Sequence, residues 1–380
     1  MYTALLCVFS VTSVVCSLYA ILNYKLPVFV KFLFVFVFIL AIYGGYAAIL
    51  GDDLYWQSSA VVVKKYDYIL WLLTSLLSPV PIYVFTCKGM IQEKEMKLFF
   101  FVMLISCIYA FYVFSQEKML EVAMLDLEED EFTVTCVYSF LSILPCIMLF
   151  RNKLSLQFII ICVVLTFCIL GVKRGPVLLC ILCTLFFVWN TLGQVSAKKK
   201  IIILFVFLGI AYGVYEFILY QIETSRYFAL RVEQTLDGDT SDRDVYGMNI
   251  LDYFAHSTST MEFLIGIGAN RTLVANNSFA HNDWLGILLE QGIVGFLLYL
   301  LYWCGFITSW LKSKCTNESF MALGMLLIIG LGKSLFSMYY LPVTAEMIIS
   351  SGFFAVGLGY FLAKAYPQEI RDAGSLDENC

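Results

Sequence analysis

Long apolar runs recur along the whole chain, and they constrain its fold more than any other feature. Each run holds about twenty residues, the length that an α-helix needs to cross a hydrocarbon core of about 30 Å. Polar breaks separate the runs into 3–22, 26–50, 67–87, 97–115, 132–150, 154–172, 174–195, 201–220, 284–311, 319–341 and 346–364. The pattern predicts an all-α, polytopic integral membrane protein with about eleven transmembrane helices.

The composition agrees with one membrane domain over residues 1–380. Hydrophobic residues make up 61% of the chain and charged residues 14%, whereas soluble domains carry about 25% charged residues. The net charge of −5, without a basic stripe, argues against nucleic acid as a partner. The first run lacks a basic segment before it, so we expect a retained helix rather than a signal peptide.

Lysine and arginine predict the orientation. Short connections on the cytoplasmic side of a membrane protein retain these residues. Alternate connections here hold Lys25; Lys88, Lys94 and Lys97; Arg151 and Lys153; Lys198, Lys199 and Lys200; and Lys312 and Lys314. The opposite set holds only Lys64, Lys65, Lys118, Lys173 and Arg174. The first set is therefore expected in the cytoplasm, with the N-terminus outside.

One connection, residues 221–283, is much longer than the others and is predicted to be a periplasmic loop. It holds nine acidic and four basic residues and both histidines of the chain, His256 and His281. Long ordered loops are commonly functional. Within this loop, a cap at Ser241 or Asp242 and the three- and four-residue spacing of apolar residues predict an amphipathic helix on the outer surface. Those apolar residues are Val245, Met248, Leu251 and Tyr253.

Charged residues inside apolar runs are costly and point to function. Glu290 and Lys333 lie in the outer halves of adjacent predicted spans, so they can pair, either for function or only to fix helix register. Arg174, in Lys173-Arg174-Gly175-Pro176, is held at the outer interface by a tight turn. Arginine there can bind phosphate through two hydrogen bonds, or simply anchor the helical hairpin. Cys180 and Cys183 lie within an apolar run and are expected to be core residues, and no metal or cofactor is predicted.

Four stretches resemble the O-antigen polymerase and O-antigen ligase superfamily of bacterial inner membranes. They read KRGP, SDRDVYGMNILDYF, EFLIGIGANRT and AHNDWLGILLEQGIVGFLLYLLYW, and the resemblance covers mainly residues 166–310. The positions that carry it are Arg174, Arg243, Gly266, Gly268, His281, Asn282, Glu290, Gly292 and Gly295.

The resemblance implies a metal-independent glycosyltransferase at the periplasmic face of the inner membrane. Its substrate would be an oligosaccharide linked to undecaprenyl diphosphate, and its partners the flippase and chain-length regulator of the same membrane. Arginines stabilise a diphosphate leaving group, and histidine, with an ordinary pKa near 6.5, can accept the proton of the attacking hydroxyl. The predicted catalytic residues are Arg174, Arg243 and His281. The predicted substrate-binding residues are Arg226, Arg231, Asn282, Glu290 and Lys333.

Three functions stay open at this point. A polymerase transfers the growing glycan onto a new lipid-linked repeat, and a ligase transfers it onto lipid A-core. The acidic balance of the 221–283 loop favours the polymerase, because lipid A-core is phosphorylated and would suit a more basic surface. A flippase or other transporter would show internal repeats and charges at the midplane. The sequence shows no clear repeat, and its buried charges lie towards one face.

Overall fold

The protein is almost entirely helical in the computed structural model, which describes residues 2–56, 61–125, 136–238, 243–256, 258–276, 278–313, 317–341 and 344–367. The first helices are α1 (Tyr2–Asn23), α2 (Val28–Leu50), α3 (Asp67–Leu76), α4 (Pro79–Cys87), α5 (Glu93–Leu125), α6 (Val137–Ile143), α7 (Leu154–Leu170) and α8 (Arg174–Gln194). The remaining helices are α9 (Ala197–Thr224), α10 (Arg226–Leu236), α11 (Arg243–His256), α12 (Thr260–Ile265), α13 (Thr272–Asn276), α14 (Asp283–Lys312), α15 (Asn317–Phe336) and α16 (Ala345–Ala365). A two-stranded antiparallel hairpin, β1 (Leu54–Trp56) and β2 (Val61–Val63), follows α2.

Nine helical segments of the described residues are long and apolar enough to cross a membrane. They are Leu6–Asn23, Val28–Leu50, Asp67–Cys87, Glu93–Gln116, Arg174–Gln194, Ala197–Thr224, Asp283–Lys312, Asn317–Phe336 and Met347–Ala365. Val137–Phe150 and Leu154–Leu170 are apolar but shorter. These segments confirm the predicted all-α fold with apolar helices of membrane-spanning length. The count of eleven crossings stays a prediction.

Proline divides two of the predicted runs. Pro79 is the first residue of α4 and separates it from α3, and Pro145 lies at the start of a 3₁₀ helix (Leu144–Phe150) that continues α6. Proline has no backbone N–H to donate and clashes with the preceding turn, so the α-helical hydrogen bonds stop there. Both divided segments are packed inside the bundle.

Connections meet at two ends of the bundle. At one end, Tyr43 Oη donates to the Ile265 carbonyl at 2.5 Å, and the β1–β2 hairpin contacts α13. At the other end, Arg151 and Glu318 form an ion pair, and the side chains of Gln194 and Asn317 exchange hydrogen bonds of 2.7 Å. The 51–66 connection and the 221–283 segment therefore share one end, opposite the connections before α7, α9 and α15.

The described part of the 221–283 segment contains four short helices, α10 to α13, rather than one helix in an open loop. The predicted helix is present as α11, although its predicted cap at Ser241 or Asp242 lies outside the described residues. Gly247, Ile250 and Phe254 form its buried face, which packs against α13 and α14. The predicted apolar residues Val245, Met248 and Leu251 are exposed on the protein, which leaves them free to contact a bilayer surface.

Candidate functional site

The start of α14 presents His281. Asn282 caps this helix, because its side-chain oxygen accepts hydrogen bonds from Trp284 N at 2.9 Å and Leu285 N at 3.2 Å. His281 itself has a φ of +49°. A residue other than glycine in this left-handed conformation is uncommon and is often found at functional sites. The cap at Asn282 thus holds the histidine at the beginning of the helix.

The turn Gly266-Ile267-Gly268, here called the G-x-G turn, contacts α14 where that helix is interrupted. Gly292 adopts φ 65° and ψ −165°, a conformation open essentially to glycine alone. The carbonyls of Leu289 and Glu290 accept hydrogen bonds from Ile267 N and Gly268 N, each at 3.0 Å.

Gly266 and Gly292 make this contact possible, because their backbones touch. A Cβ on Gly266 would lie 2.2 Å from the Glu290 carbonyl, and one on Gly292 would lie 2.5 Å from Gly266 N. The two motifs quoted for the family resemblance therefore form one interlocked structure.

Glu290 is buried just before this break and supports the same turn. Its Oε1 accepts from Thr272 Oγ1 at 2.8 Å and from Thr272 N at 3.3 Å, and its Oε2 accepts from Tyr340 Oη at 3.5 Å. The side chain lines a small internal cavity that also touches His281 and Asp283. Glu290 thus lines the same internal cavity as the histidine but is buried away from the open surface.

The expected pairing of Glu290 with Lys333 is wrong. Lys333 Nζ instead donates to Ser350 Oγ at 3.5 Å and lies 5.5 Å from the centre of the Tyr138 ring. It lines a separate internal cavity between α3, α6, α15 and α16. The position along a helix fixes how deep a side chain lies, but here the two side chains point to different neighbours.

An open cleft of about 320 Å³ brings together the three predicted catalytic residues. Its lining residues are Arg174, Arg243, Asp244, Ala280, His281, Asn282, Leu285, Leu335 and Phe336. They come from the starts of α8, α11 and α14 and from the end of α15. The cleft thus places two guanidinium groups and an imidazole around one space, although these residues are up to 107 positions apart in the sequence.

The C-terminal end of α15 fixes two of these residues. The last carbonyls of a helix have no partner within it. Here the Phe336 carbonyl accepts from Arg243 Nη1 at 2.7 Å, and the Leu335 carbonyl accepts from Asn282 Nδ2 at 3.2 Å. Arg243 also brings positive charge to the negative end of the helix dipole.

His281 has the electrostatics of an uncharged imidazole. Burial, and next the positive charges of Arg243 and Lys173, lower its pKa from 6.5 to about 4. The imidazole is therefore neutral at pH 7 and able to accept a proton. The ring lies 6.4 Å from that of Tyr246, centre to centre, and no hydrogen bond from the described residues engages its nitrogens.

An apolar groove of about 320 Å³ adjoins the cleft at Arg174. Apart from Lys173, Arg174 and Thr235, its walls are apolar side chains of α7, α8, α9, α10 and the turn between α7 and α8: Ile169, Val172, Val177, Leu178, Ile181, Ile218, Phe228 and Val232. Arg174 Nη1 lies 3.5 Å from Thr235 Oγ1, across the groove from α8 to α10. One arginine therefore lines both a polar space and an apolar one.

The other predicted residues have different places. Arg226 and Arg231 belong to α10, but their side chains lie outside the described part of the chain. His256 is exposed at the end of α11, with Nδ1 2.9 Å from Asp252 Oδ1, and it does not line the cleft. The sequence patterns gave no catalytic or binding role to Asp283, Tyr246 or Asp244. Asp283 was detectable only as the acidic neighbour of the His-Asn pair.

The cleft has the groups needed to bind a diphosphate and to remove a proton from a hydroxyl. Within the described residues, no group of three or more His, Cys, Asp or Glu side chains is placed to hold a metal ion. Comparisons with protein-family models and with curated proteins find no match to this chain.

Proposed function

We propose that the protein is a polysaccharide polymerase that transfers a growing glycan from undecaprenyl diphosphate onto a lipid-linked repeat unit. The observation that carries this proposal is the junction of the two spaces at Arg174. The polar cleft suits the diphosphate and the sugar, and the apolar groove suits the isoprenoid chain. A substrate with a charged head and an apolar tail requires both surfaces side by side.

The charges of the cleft suit the chemistry of glycosyl transfer. As the bond between the anomeric carbon and the phosphate oxygen breaks, its electron pair moves to the diphosphate, and Arg174 and Arg243 stabilise that charge. The acceptor hydroxyl forms the new glycosidic bond, and its proton passes to His281. The bound diphosphate offsets the positive charge of Arg243 and Lys173, so it raises the pKa of His281 and makes the imidazole a stronger base.

The proposed topology has eleven crossings, with the N-terminus and the 221–283 segment in the periplasm of a bacterial inner membrane. The basic connections support it, because they lie at the opposite end of the bundle from the 221–283 segment. The contacts between connections support the same division, since Tyr43 and Ile265 meet at one end and Gln194 and Asn317 at the other. The chain-length regulator and flippase are proposed partners in that membrane.

The surface glycan of a deletion strain tests this proposal against its alternatives. A strain without the polymerase retains a single repeat on its lipid A-core, whereas a strain without the ligase has bare core and accumulates polymer on the lipid carrier. A strain without a flippase accumulates single lipid-linked repeats on the cytoplasmic side. We expect the first pattern, and either of the other two would overturn the polymerase assignment.

Complementation of that strain tests the site. Arg174→Ala should fail to restore long-chain glycan although the protein reaches the membrane, because the cleft and the groove meet at this residue. Arg271→Ala is the matched control, since Arg271 is an arginine of the 221–283 segment at the same end of the bundle but does not line the cleft. Equal restoration by both variants would remove Arg174 from the site.

A further inference from the structure

Asp283 connects the start of α14 to the turn that follows α15. Its side chain is 2% exposed. Its Oδ2 accepts from Tyr339 N at 3.0 Å, from Tyr340 N at 3.3 Å and from Tyr299 Oη at 3.0 Å. One buried carboxylate therefore satisfies two backbone N–H groups of a segment 56 residues away in the sequence.

This turn follows directly after Leu335 and Phe336, whose carbonyls bind two residues of the cleft. The Leu335 and Phe336 carbonyls accept from Asn282 and Arg243. Asn282 precedes Asp283, so the contacts form a closed ring from α14, through the turn and the end of α15, and back to α14. The position of Arg243 relative to His281 then depends on where the turn is held.

We infer that Asp283 is a positioning residue, which sets the distance between Arg243 and His281 by fixing the turn after α15. It does not line the open cleft. Asparagine at position 283 would keep one acceptor oxygen but place an NH2 donor against Tyr339 N, which donates to both carboxylate oxygens. Residues 337–341 would therefore move to separate the two donors. The carbonyl of Phe336, and Arg243 with it, would move with the turn. The kinetic part of this inference rests on the proposed glycosyl transfer.

The charge of Asp283 and its positioning role predict opposite effects on His281. Loss of a nearby negative charge alone would lower the pKa of the imidazole further. Displacement of Arg243 from the imidazole would raise this pKa, because Arg243 is one of the charges that lower it. Other charged groups also surround the His281 ring. Arg174 and Asp244 line the open cleft with it, Glu290 lines the small internal cavity with it, and Lys173 is a further nearby positive charge. The sign of the change therefore separates the two effects.

The test is NMR of the full-length protein in detergent with ¹⁵N-labelled histidine. The chain has two histidines, so His256→Ala assigns both signals. In the wild type, His281 should stay neutral from pH 7.5 to 5.5. In Asp283→Asn it should begin to protonate within that range, while the His256 signal is the same in both proteins. If the pKa of His281 in Asp283→Asn is the same as in the wild type, or lower, the inference is overturned.

Two further variants keep the test decisive. Tyr299→Phe retains the carboxylate and removes one of its donors, so it answers the same question if Asp283→Asn does not fold. Tyr299→Phe should also raise the pKa of His281, but by less than Asp283→Asn does. An unchanged pKa would overturn the inference. Asp67→Asn is the control, because Asp67 also accepts a backbone N–H, from Lys64, but lies away from the cleft.

Activity measurements separate this inference from the proposed function. If the wild type transfers glycan, Asp283→Asn should lower kcat on the order of 10²-fold with little change in KM, as a misplaced catalytic group does. A rise in KM with unchanged kcat would contradict positioning. If the wild type transfers no glycan, the proposed function fails, and the NMR result alone decides the place of Asp283.

Discussion

The contact between Gly266 and Gly292 makes a strong prediction about stability. In Gly292→Ala, the new Cβ would lie 2.5 Å from Gly266 N and from the Leu264 carbonyl. These are backbone atoms, so α14 and the turn must separate. The variant should therefore lose the hydrogen bonds that Ile267 N and Gly268 N make to α14.

The expected loss is a large part of the protein's stability. The backbone conformation at Gly292 costs a residue with a side chain about 1–3 kcal/mol. Each buried hydrogen bond left unmade costs about 1–3 kcal/mol more. Allowing for relaxation, we expect a loss on the order of 3–6 kcal/mol, against a total of about 5–15 kcal/mol for a typical domain.

Thermal unfolding in detergent, with the yield of folded protein, measures this effect. Gly209→Ala is the matched control, because a Cβ on Gly209 meets nothing within 4 Å and alanine favours the helix by up to about 1 kcal/mol. The control should unfold at or slightly above the wild-type temperature. If Gly292→Ala unfolds within a degree or two of the control, the interlock between α14 and the G-x-G turn is wrong.

Four other predictions concern the cleft and the topology. Below pH 5.5, kcat/KM should fall as the pH approaches 4, because protonated His281 cannot accept a proton. The contribution of His281 to stability should be complete above pH 6.5 and be lost towards pH 4, and His281→Ala should remove both dependences. Lysine at Arg174 or Arg243 should restore only part of the activity lost in the alanine variants, because an ammonium cannot form two parallel hydrogen bonds to phosphate. A cysteine at exposed Asp237 should react with an impermeant thiol reagent in cells opened only at the outer membrane, and protection there would reverse the orientation.

The helices were predictable because their signal is local. A run of about twenty apolar residues has few ways to satisfy its backbone in a membrane, so the runs mark the helices directly. The divisions at Pro79 and Pro145 lie within those runs and were not marked by polar breaks. The helices α10, α12 and α13 lie in a segment of mixed polarity, where the predicted periodicity singled out α11 alone.

Position along a helix was easier to predict than direction around it. The positions of Glu290 and Lys333 along their helices were counted from the sequence, but their partners were not. Those partners depend on how α14 and α15 are rotated against their neighbours. Thr272 and Ser350 belong to segments whose proximity no spacing rule reveals.

The cleft was partly predictable for a similar reason. Arg174, Arg243 and His281 were marked by charge, by position and by the family resemblance, and they line one cleft. The positioning role of Asp283 was not predicted, because its carboxylate accepts hydrogen bonds from the backbone N–H groups of Tyr339 and Tyr340. Backbone donors carry no signature in the sequence, so such a contact appears only in three dimensions.

Glycan transfer by the purified protein tests the central claim most directly. In lipid nanodiscs, with a polyprenyl-diphosphate-linked repeat as both donor and acceptor, the wild type and His256→Ala should lengthen the glycan and release polyprenyl diphosphate. His281→Ala should still bind the donor but transfer roughly 10²–10⁴-fold more slowly, as expected for the loss of a general base. Equal transfer rates for the two histidine variants would contradict the assignment of His281. If the folded wild type transfers no glycan from its cognate repeat, the proposed function is contradicted.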